Sequence, residues 1–374
     1  MDAALATRTV LLRACRVDDS SADAELAGDL PWEEIIGQGL RLGLASQLHS
    51  FAAPKPGIPP AARQRLQELN LRQAGDGVAV HEQLREILQA LNRVDVSAIV
   101  LKGAALAAGI YQNIATRPMK DLDLLIRKDK LPLAEATLAS LGYRPQESHR
   151  SRAWYAREHH HLVPMTCPGR PVDVELHWSI VPTFSHITVS IDGLWDRART
   201  TTIADVPTLV LSATDLLLHL CLHFDDLVGR LGTIRDVAEV IRREGHQVDW
   251  PRFAEDARRS GAPARAYAAL RLAHSITGTS APTFVVSAVR EVAGYGPMDD
   301  RLLDWIAHHA LTRTEVAGIE NILLVDLGEA LLRGRSTAGR LREAAISVWK
   351  RTLASLRNGD SWKGAEVTAP VREA

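Results

Sequence analysis

Cysteine, net charge and long apolar runs are all scarce in this chain, and each scarcity narrows what the protein can be. Its three cysteines, Cys15, Cys167 and Cys221, lack any Cys-x-x-Cys spacing, which argues against a disulfide framework or a cysteine zinc site and fits a reducing compartment. Lysine plus arginine (44) almost cancels aspartate plus glutamate (45), so no global field draws the chain to nucleic acid. No run reaches the ~18 apolar residues of a membrane span, and the N-terminus lacks the sustained apolar core and cleavage pattern of a secretion signal. A cytoplasmic protein with no membrane partner is expected.

What is present is ordinary globular material with a helical texture. The 374 residues are 46% hydrophobic and 24% charged, rich in Ala and Leu, and long enough for two or three compact units. Residues 1–78 read as a helical segment. Within it, "DLPWEEIIGQGLRLGLASQLHSFA" carries helix-start signals at Asp29, Pro31, Glu33 and Glu34, and "APKPGIPPAAR" is the first break. A mixed α/β core is expected over 79–207. Its elements are a helix from His81, a buried strand "VSAIVLKG", an Ala-rich helix from Gly103 to Gln112, an apolar strand "KDLDLLIRK", a helix ending at Gly142, and the hairpin-like pair "HHHLVPMT" and "PVDVELHWSI". From about Thr208 the apolar spacing is helical again, predicting a bundle of five or six helices over 208–358 and a frayed tail over 359–374.

The core contains the chemistry. In "VLKGAALAAGIYQNIATRPMKDLDLLIRKD", Val100 to Asp129, Asp121 and Asp123 stand one residue apart in an apolar run. On a strand both point to one face, and two adjacent carboxylates among apolar neighbours require a cation. Upstream, Lys102-Gly103-Ala104 closes a strand and opens a helix, where small residues let backbone N–H groups approach phosphates. A later strand, "VDVELHW", adds Asp173 and Glu175 on one face with His177. Two acids plus a third from a neighbouring strand are the ligand set of a two-metal phosphoryl-transfer centre.

These residues resemble the DNA polymerase β-like nucleotidyltransferase superfamily, whose signature is a glycine-rich turn opening a helix, an Asp-x-Asp strand and a third acid on a later strand. More narrowly, "LKGAAL…Y…RPMKDLDLLI…LASLGY…VELHW" is similar to an uncharacterised bacterial nucleotidyltransferase family often encoded in biosynthetic gene clusters, and "LPWEEIIGQGLRLGLASQL", "TDLLLHLCLHF" and "IRDVAEVI" extend the likeness over most of the chain. The resemblance implies an α+β fold: a small mixed sheet of polymerase β-like type, with N-terminal helices and a C-terminal helical bundle. It implies Mg2+ (or Mn2+) on Asp121, Asp123 and Glu175, and an NTP as substrate, with its β- and γ-phosphates on Gly103 and the Ala104 backbone. Ala104 replaces the usual second Gly or Ser and offers an N–H but no hydroxyl, which raises the importance of Lys102 as a point charge on the triphosphate.

Several residues carry a structural reading beside the functional one. Asp173 competes with Glu175 as third acid, and the position just before "LHW" favours Glu175. Arg117 reaches a phosphate or pairs with an acid to hold its loop; Lys102 contacts phosphate or covers a helix end. His159, His160 and His161, with His177 and the i, i+4 pair His219 and His223, raise a zinc reading. Without a helical His-Glu-x-x-His the spacing favours structure instead. His177 is better read as orienting a carboxylate or substrate group. His161 is a lesser site candidate, and His223, Arg235 and Asp236 are candidates for closing a nucleotide cleft or for a buried hydrogen bond. Seven basic residues from Arg333 to Arg357 face one acid, Glu343: a solvated helix face, or a surface steering an anionic acceptor or leader peptide.

The expected activity is Mg2+-dependent transfer of NMP from an NTP to an unidentified acceptor, a small molecule, peptide or protein rather than nucleic acid, with natural-product tailoring as the family context. Alternatives are a toxin-like transferase acting on tRNA or protein, a catalytically silent nucleotide- or partner-binding protein, and a histidine-metal hydrolase.

Overall fold

A computed structural model describes residues 3–16, 30–111, 116–147, 151–183, 185–224, 231–309 and 332. The chain opens with α1 (Ala3–Ala14), α2 (Trp32–Arg41), α3 (Ala45–Ala52) and α4 (Pro60–Arg93). It continues through β1 (Ala98–Val100), α5 (Lys102–Ala105), a π-helical turn (Leu106–Tyr111), β2 (Asp121–Ile126), α6 (Leu131–Ser140), β3 (Arg144–Pro145) and α7 (Arg152–Glu158). Then come β4 (Met165–Thr166), β5 (Asp173–His177), α8 (Ile191–Asp196), β6 (Arg199–Ile203) and β7 (Val206–Val210). Helices α9 (Ala213–Leu222), α10 (Leu231–Glu244), α11 (Trp250–Arg259), α12 (Pro263–Thr277), α13 (Thr283–Ala293) and α14 (Pro297–His309) follow. The fold is α+β with one small mixed sheet, as the sequence predicts. The basic stretch 333–357, the last expected helix and the tail 359–374 lie outside the described residues.

The chain divides into two compact units. One, which takes the residues up to Leu44, Phe224–Ala238 and those from Ala262 on, is helical: α12 packs on α13, α14 and α1. Its axis is nearly all buried, with Tyr267, Leu270 and Leu272 inside, and it stops at Gly278, whose φ of 80° is the left-handed cap that glycine supplies without strain.

The other unit, Ala45–His223 with Glu239–Gly261, holds the sheet. Strand order is β3-β4-β5-β2-β1-β7-β6. β2 is antiparallel to β1 and parallel to β5, while β7 runs parallel to β1. The central strands are covered on both faces, which is why β1 reads as an unbroken apolar run and why Leu122, Leu124, Leu125 and Ile126 are all fully buried. Leu84, Ile87, Leu88 and Leu91 of α4 and Ala134 and Leu138 of α6 complete this core. At its edge Gln83 donates to the Tyr143 hydroxyl (2.9 Å) and to the Val172 carbonyl (2.7 Å), satisfying polar atoms that burial would otherwise strand.

Three local features depart from the sequence reading. The run expected as one helix from Pro31 is two, α2 and α3, split at Gly43 with φ 72°. The helix expected from His81 begins at Pro60 and runs unbroken through Gly75 and Gly77. Two glycines cost about 1 kcal/mol each in a helix, a cost offset by packing: α3 lies along α4, and Arg63 of α4 donates to the Ala53 (2.7 Å) and Lys55 (2.8 Å) carbonyls beyond the end of α3. The β6–β7 hairpin was not anticipated. Its turn residues, Ala204 and Asp205, both have positive φ (52° and 59°), the conformation of a two-residue primed turn, but lack the Asn-Gly or Asp-Gly pair that announces one.

Candidate active site

β2 and β5 run in parallel register with Asp121 opposite Asp173, Asp123 opposite Glu175, and Leu125 opposite His177. Because side chains alternate, the same pairing that sends Leu122, Leu124, Val174 and Leu176 to zero exposure gathers the polar residues on the other face. The Leu101 N–H donates to the Asp123 carbonyl at 3.0 Å, extending the β1–β2 ladder by one residue. Lys102 follows with φ 42°, a left-handed conformation that costs a non-glycine residue about 1 kcal/mol or more. That strain aims its ammonium at the acids: Nζ lies 3.0 Å from Asp123 Oδ1.

Asp123 is 2% exposed and its two oxygens are treated differently. Oδ1 takes both Lys102 Nζ and His177 Nε2, the latter at 2.7 Å, while Oδ2 is buried with no hydrogen-bond partner. Burial pushes the Asp123 carboxyl up, but the hydrogen bond and charge of His177, with Lys102, outweigh it and hold it well below the usual range. Against burial and the Lys102 charge, its hydrogen bonds to Asp123 and Glu175 lift His177 above its ordinary value. Glu175 Oε2 stands 3.3 Å from His177 Nε2 and 3.5 Å from His161 Nε2. Its carboxyl is held low chiefly by His177, again against burial. Asp121 has no such partner. Burial, then the neighbouring Asp123 charge, pushes it up to about 6.

A divalent cation fits this arrangement. Asp123 and Glu175 each bring a carboxylate oxygen within 4.8 Å of the other, the orphaned Asp123 Oδ2 is a buried acceptor with nothing to accept, and Asp121 is crowded by charge of its own sign. Oxygen donors of this kind suit Mg2+ or Mn2+.

Gly103 and Ala104 are buried in the first turn of α5. The glycine answers to space and not to backbone conformation: a Cβ there would stand 3.2 Å from Met119 Cγ and 3.9 Å from Arg117 Nη1. Arg117 thus reaches over Gly103 and also donates to the Pro118 carbonyl, and its charge helps hold the Asp121 carboxyl down. Asp173 is tied to Gln146, whose Nε2 donates to Oδ2, so the two candidate third acids differ: Asp173 has an amide partner, Glu175 has histidines. His161 forms an isolated bridge to His177, and His223 lies with His219 near His160. Arg235 and Asp236 belong to the helical unit, where Arg235 donates to the Ala14 carbonyl at 3.2 Å and Asp236 is buried. Met119 and Gln146 were not foreseen, and no local pattern announces either. A cavity of about 190 Å³ between the π-helical turn and β6, bordered by Ala105, Gly109, Thr200 and Thr202, is lined by none of Asp121, Asp123, Asp173 and Glu175. No helix among the described residues is long and apolar enough to cross a membrane.

No curated protein and no solved structure matches the chain. The model of a family described as "Uncharacterised nucleotidyltransferase" matches residues 30–278, spanning both the acid strands and the Lys-Gly turn. The chain belongs to this uncharacterised nucleotidyltransferase family.

Proposed function

We propose that the protein moves a nucleoside monophosphate from an NTP to a small-molecule or peptide acceptor and releases pyrophosphate, with Mg2+ or Mn2+ held by Asp121, Asp123 and Glu175. The observation that carries this reading is the buried Asp123 Oδ2 left without a partner, beside two further carboxylates and a lysine on a strained turn. Bound there, the metal supplies charge neutralisation at the transferred phosphoryl group.

The chain's own residues supply the rest. Lys102 offers its ammonium to the triphosphate, and Gly103 leaves room for a phosphate to come close to backbone. Arg117, already over Gly103, adds a second positive group. His177 fixes the Asp123 and Glu175 carboxylates in place through Nε2, and Glu175, the more exposed of the two, is the acid placed to take the proton of an attacking hydroxyl or amine. Near-zero net charge favours a small molecule or peptide over nucleic acid as acceptor.

The test is calorimetric titration of each NTP, with and without Mg2+, into the wild type and an Asp121→Asn/Asp123→Asn variant. Metal-dependent binding of one NTP that disappears in the variant is expected and names the donor. NTP binding of equal strength in both proteins would overturn the assignment of these acids.

A further inference from the structure

We propose that His159, His160 and His161 form a second cation site, one that takes a divalent transition ion of the zinc class. In an extended chain consecutive side chains diverge to opposite faces; here three in succession converge. α7 ends at Glu158, His159 follows in an extended conformation (φ −96°, ψ −174°), and the chain then bridges to β5 through His161. The result is ring centroids 4.6 Å apart for His159 and His160, 4.0 Å for His159 and His161, and 5.0 Å for His160 and His161. One donor atom from each lies within 4.8 Å of the other two.

Their nitrogens are prepared for a ligand that the protein itself does not supply. His160 and His161 are 8% and 7% exposed, and the Nδ1 atoms of His159 and His160 are buried with no hydrogen-bond partner. His161 is different in an informative way. Its Nδ1 stands 2.6 Å from the Leu162 carbonyl, and a ring that donates there leaves Nε2, 3.5 Å from Glu175 Oε2, as a lone pair that a cation between them would accept, the arrangement that orients metal-bound histidines.

Donor chemistry separates this site from the acids on β2 and β5. An all-imidazole set selects zinc, cobalt or copper over magnesium, whereas the carboxylates select magnesium or manganese. A tetrahedral ion with nitrogen at ~2.0–2.1 Å needs donors about 3.3 Å apart, which rotation about the side-chain torsions supplies from 4.8 Å. Three protein ligands leave a fourth position for water or a donor atom of a small molecule. The inference does not rest on nucleotidyl transfer, and its readout needs no nucleotide.

The test uses the full-length, tag-free chain stripped with a chelator and reloaded with Zn2+ in the presence of excess Mg2+. Elemental analysis is expected to give one equivalent of zinc in the wild type and in Asp123→Asn. In His159→Ala/His160→Ala the affinity should fall at least about tenfold. His159→Gln/His160→Gln, which preserves volume, should show the same loss if the alanine protein folds poorly. Cobalt substitution should give visible ligand-field absorption that these changes abolish. Zinc that is lost in Asp123→Asn and kept in the glutamine variant would place the ion on the acids and overturn the proposal, as would a wild type that binds no zinc.

Discussion

Asp123 and Asp215 are each 2% exposed in the same unit, and the protein treats them in opposite ways. Asp215, in the first turn of α9, is saturated. Arg197 grips it with two bonds (Nε to Oδ2 at 3.0 Å, Nη2 to Oδ1 at 2.9 Å), Arg252 stands at 3.3 Å, and Ser212 both caps its N–H and donates to Oδ2. Asp123 has its lysine and histidine on one oxygen only. Its other oxygen, buried without a hydrogen bond at a cost of about 1–3 kcal/mol, is the one the proposed cation would satisfy.

Substituting both residues breaks the comparison most sharply. Asp215→Ala should destabilise the protein by about 2 kcal/mol or more, because it leaves Arg197 and Arg252 without their carboxylate and the Ser212 hydroxyl without its acceptor, seen as a drop of several degrees in melting temperature. Asp123→Asn, which keeps an acceptor for His177 Nε2 but loses the charge that pairs with Lys102, should lower melting less than Asp215→Ala does, while nucleotidyl transfer falls at least about 10²-fold. If both variants melt alike and both keep activity, the two carboxylates do not differ in kind.

A smaller effect tests the crowding of Asp121. Its folded-state value, about 6, lies above the unfolded 3.8. The neutral form is therefore favoured by folding, and this contribution is fully present below 3.8 and lost as pH rises through about 6. Without metal, Asp121→Asn should gain on the order of 1–2 kcal/mol over wild type at pH 8, allowing for partial exposure. The gain should vanish toward pH 4, as urea titrations at the two pH values would register. With Mg2+ the dependence reverses, and NTP binding should weaken as pH falls below 6.

The smallest effect concerns space. In Gly103→Ala the new Cβ meets only the flexible Met119 side chain at 3.2 Å, and better helix propensity offsets the crowding, so stability should stay within about 1 kcal/mol. The KM for NTP should nonetheless rise. Met119→Ala in the same chain should restore part of it if the loss came from crowding.

The acids were legible in the sequence because strand alternation is a local rule: Asp121 with Asp123, and Glu175 with His177, could be assigned to common faces before their strands were paired. Helices α9, α10, α12 and α14 were legible from the 3.6-residue period of their apolar residues, whereas α11 and α13 were not read. What escaped depends on contacts that leave no periodic trace. The ion pair between Lys102 Nζ and Asp123 Oδ1 at 3.0 Å is one such contact. The continuity of α4 through Gly75 and Gly77 is a tertiary override of propensity, and the β6–β7 turn uses residues that rarely adopt positive φ. The convergence of His159, His160 and His161 contradicts the alternation rule that found the acids.

The parallel register of β2 and β5 has a consequence for how such a sequence can change over time. Lengthening or shortening the loops that join these strands leaves Asp123 opposite Glu175, so drift there is tolerated. A single residue gained or lost inside β5 exchanges its two faces, swinging Glu175 and His177 into the apolar core and Val174 and Leu176 onto the acids. Lineages of this fold should therefore accumulate insertions freely around the strand and never within it.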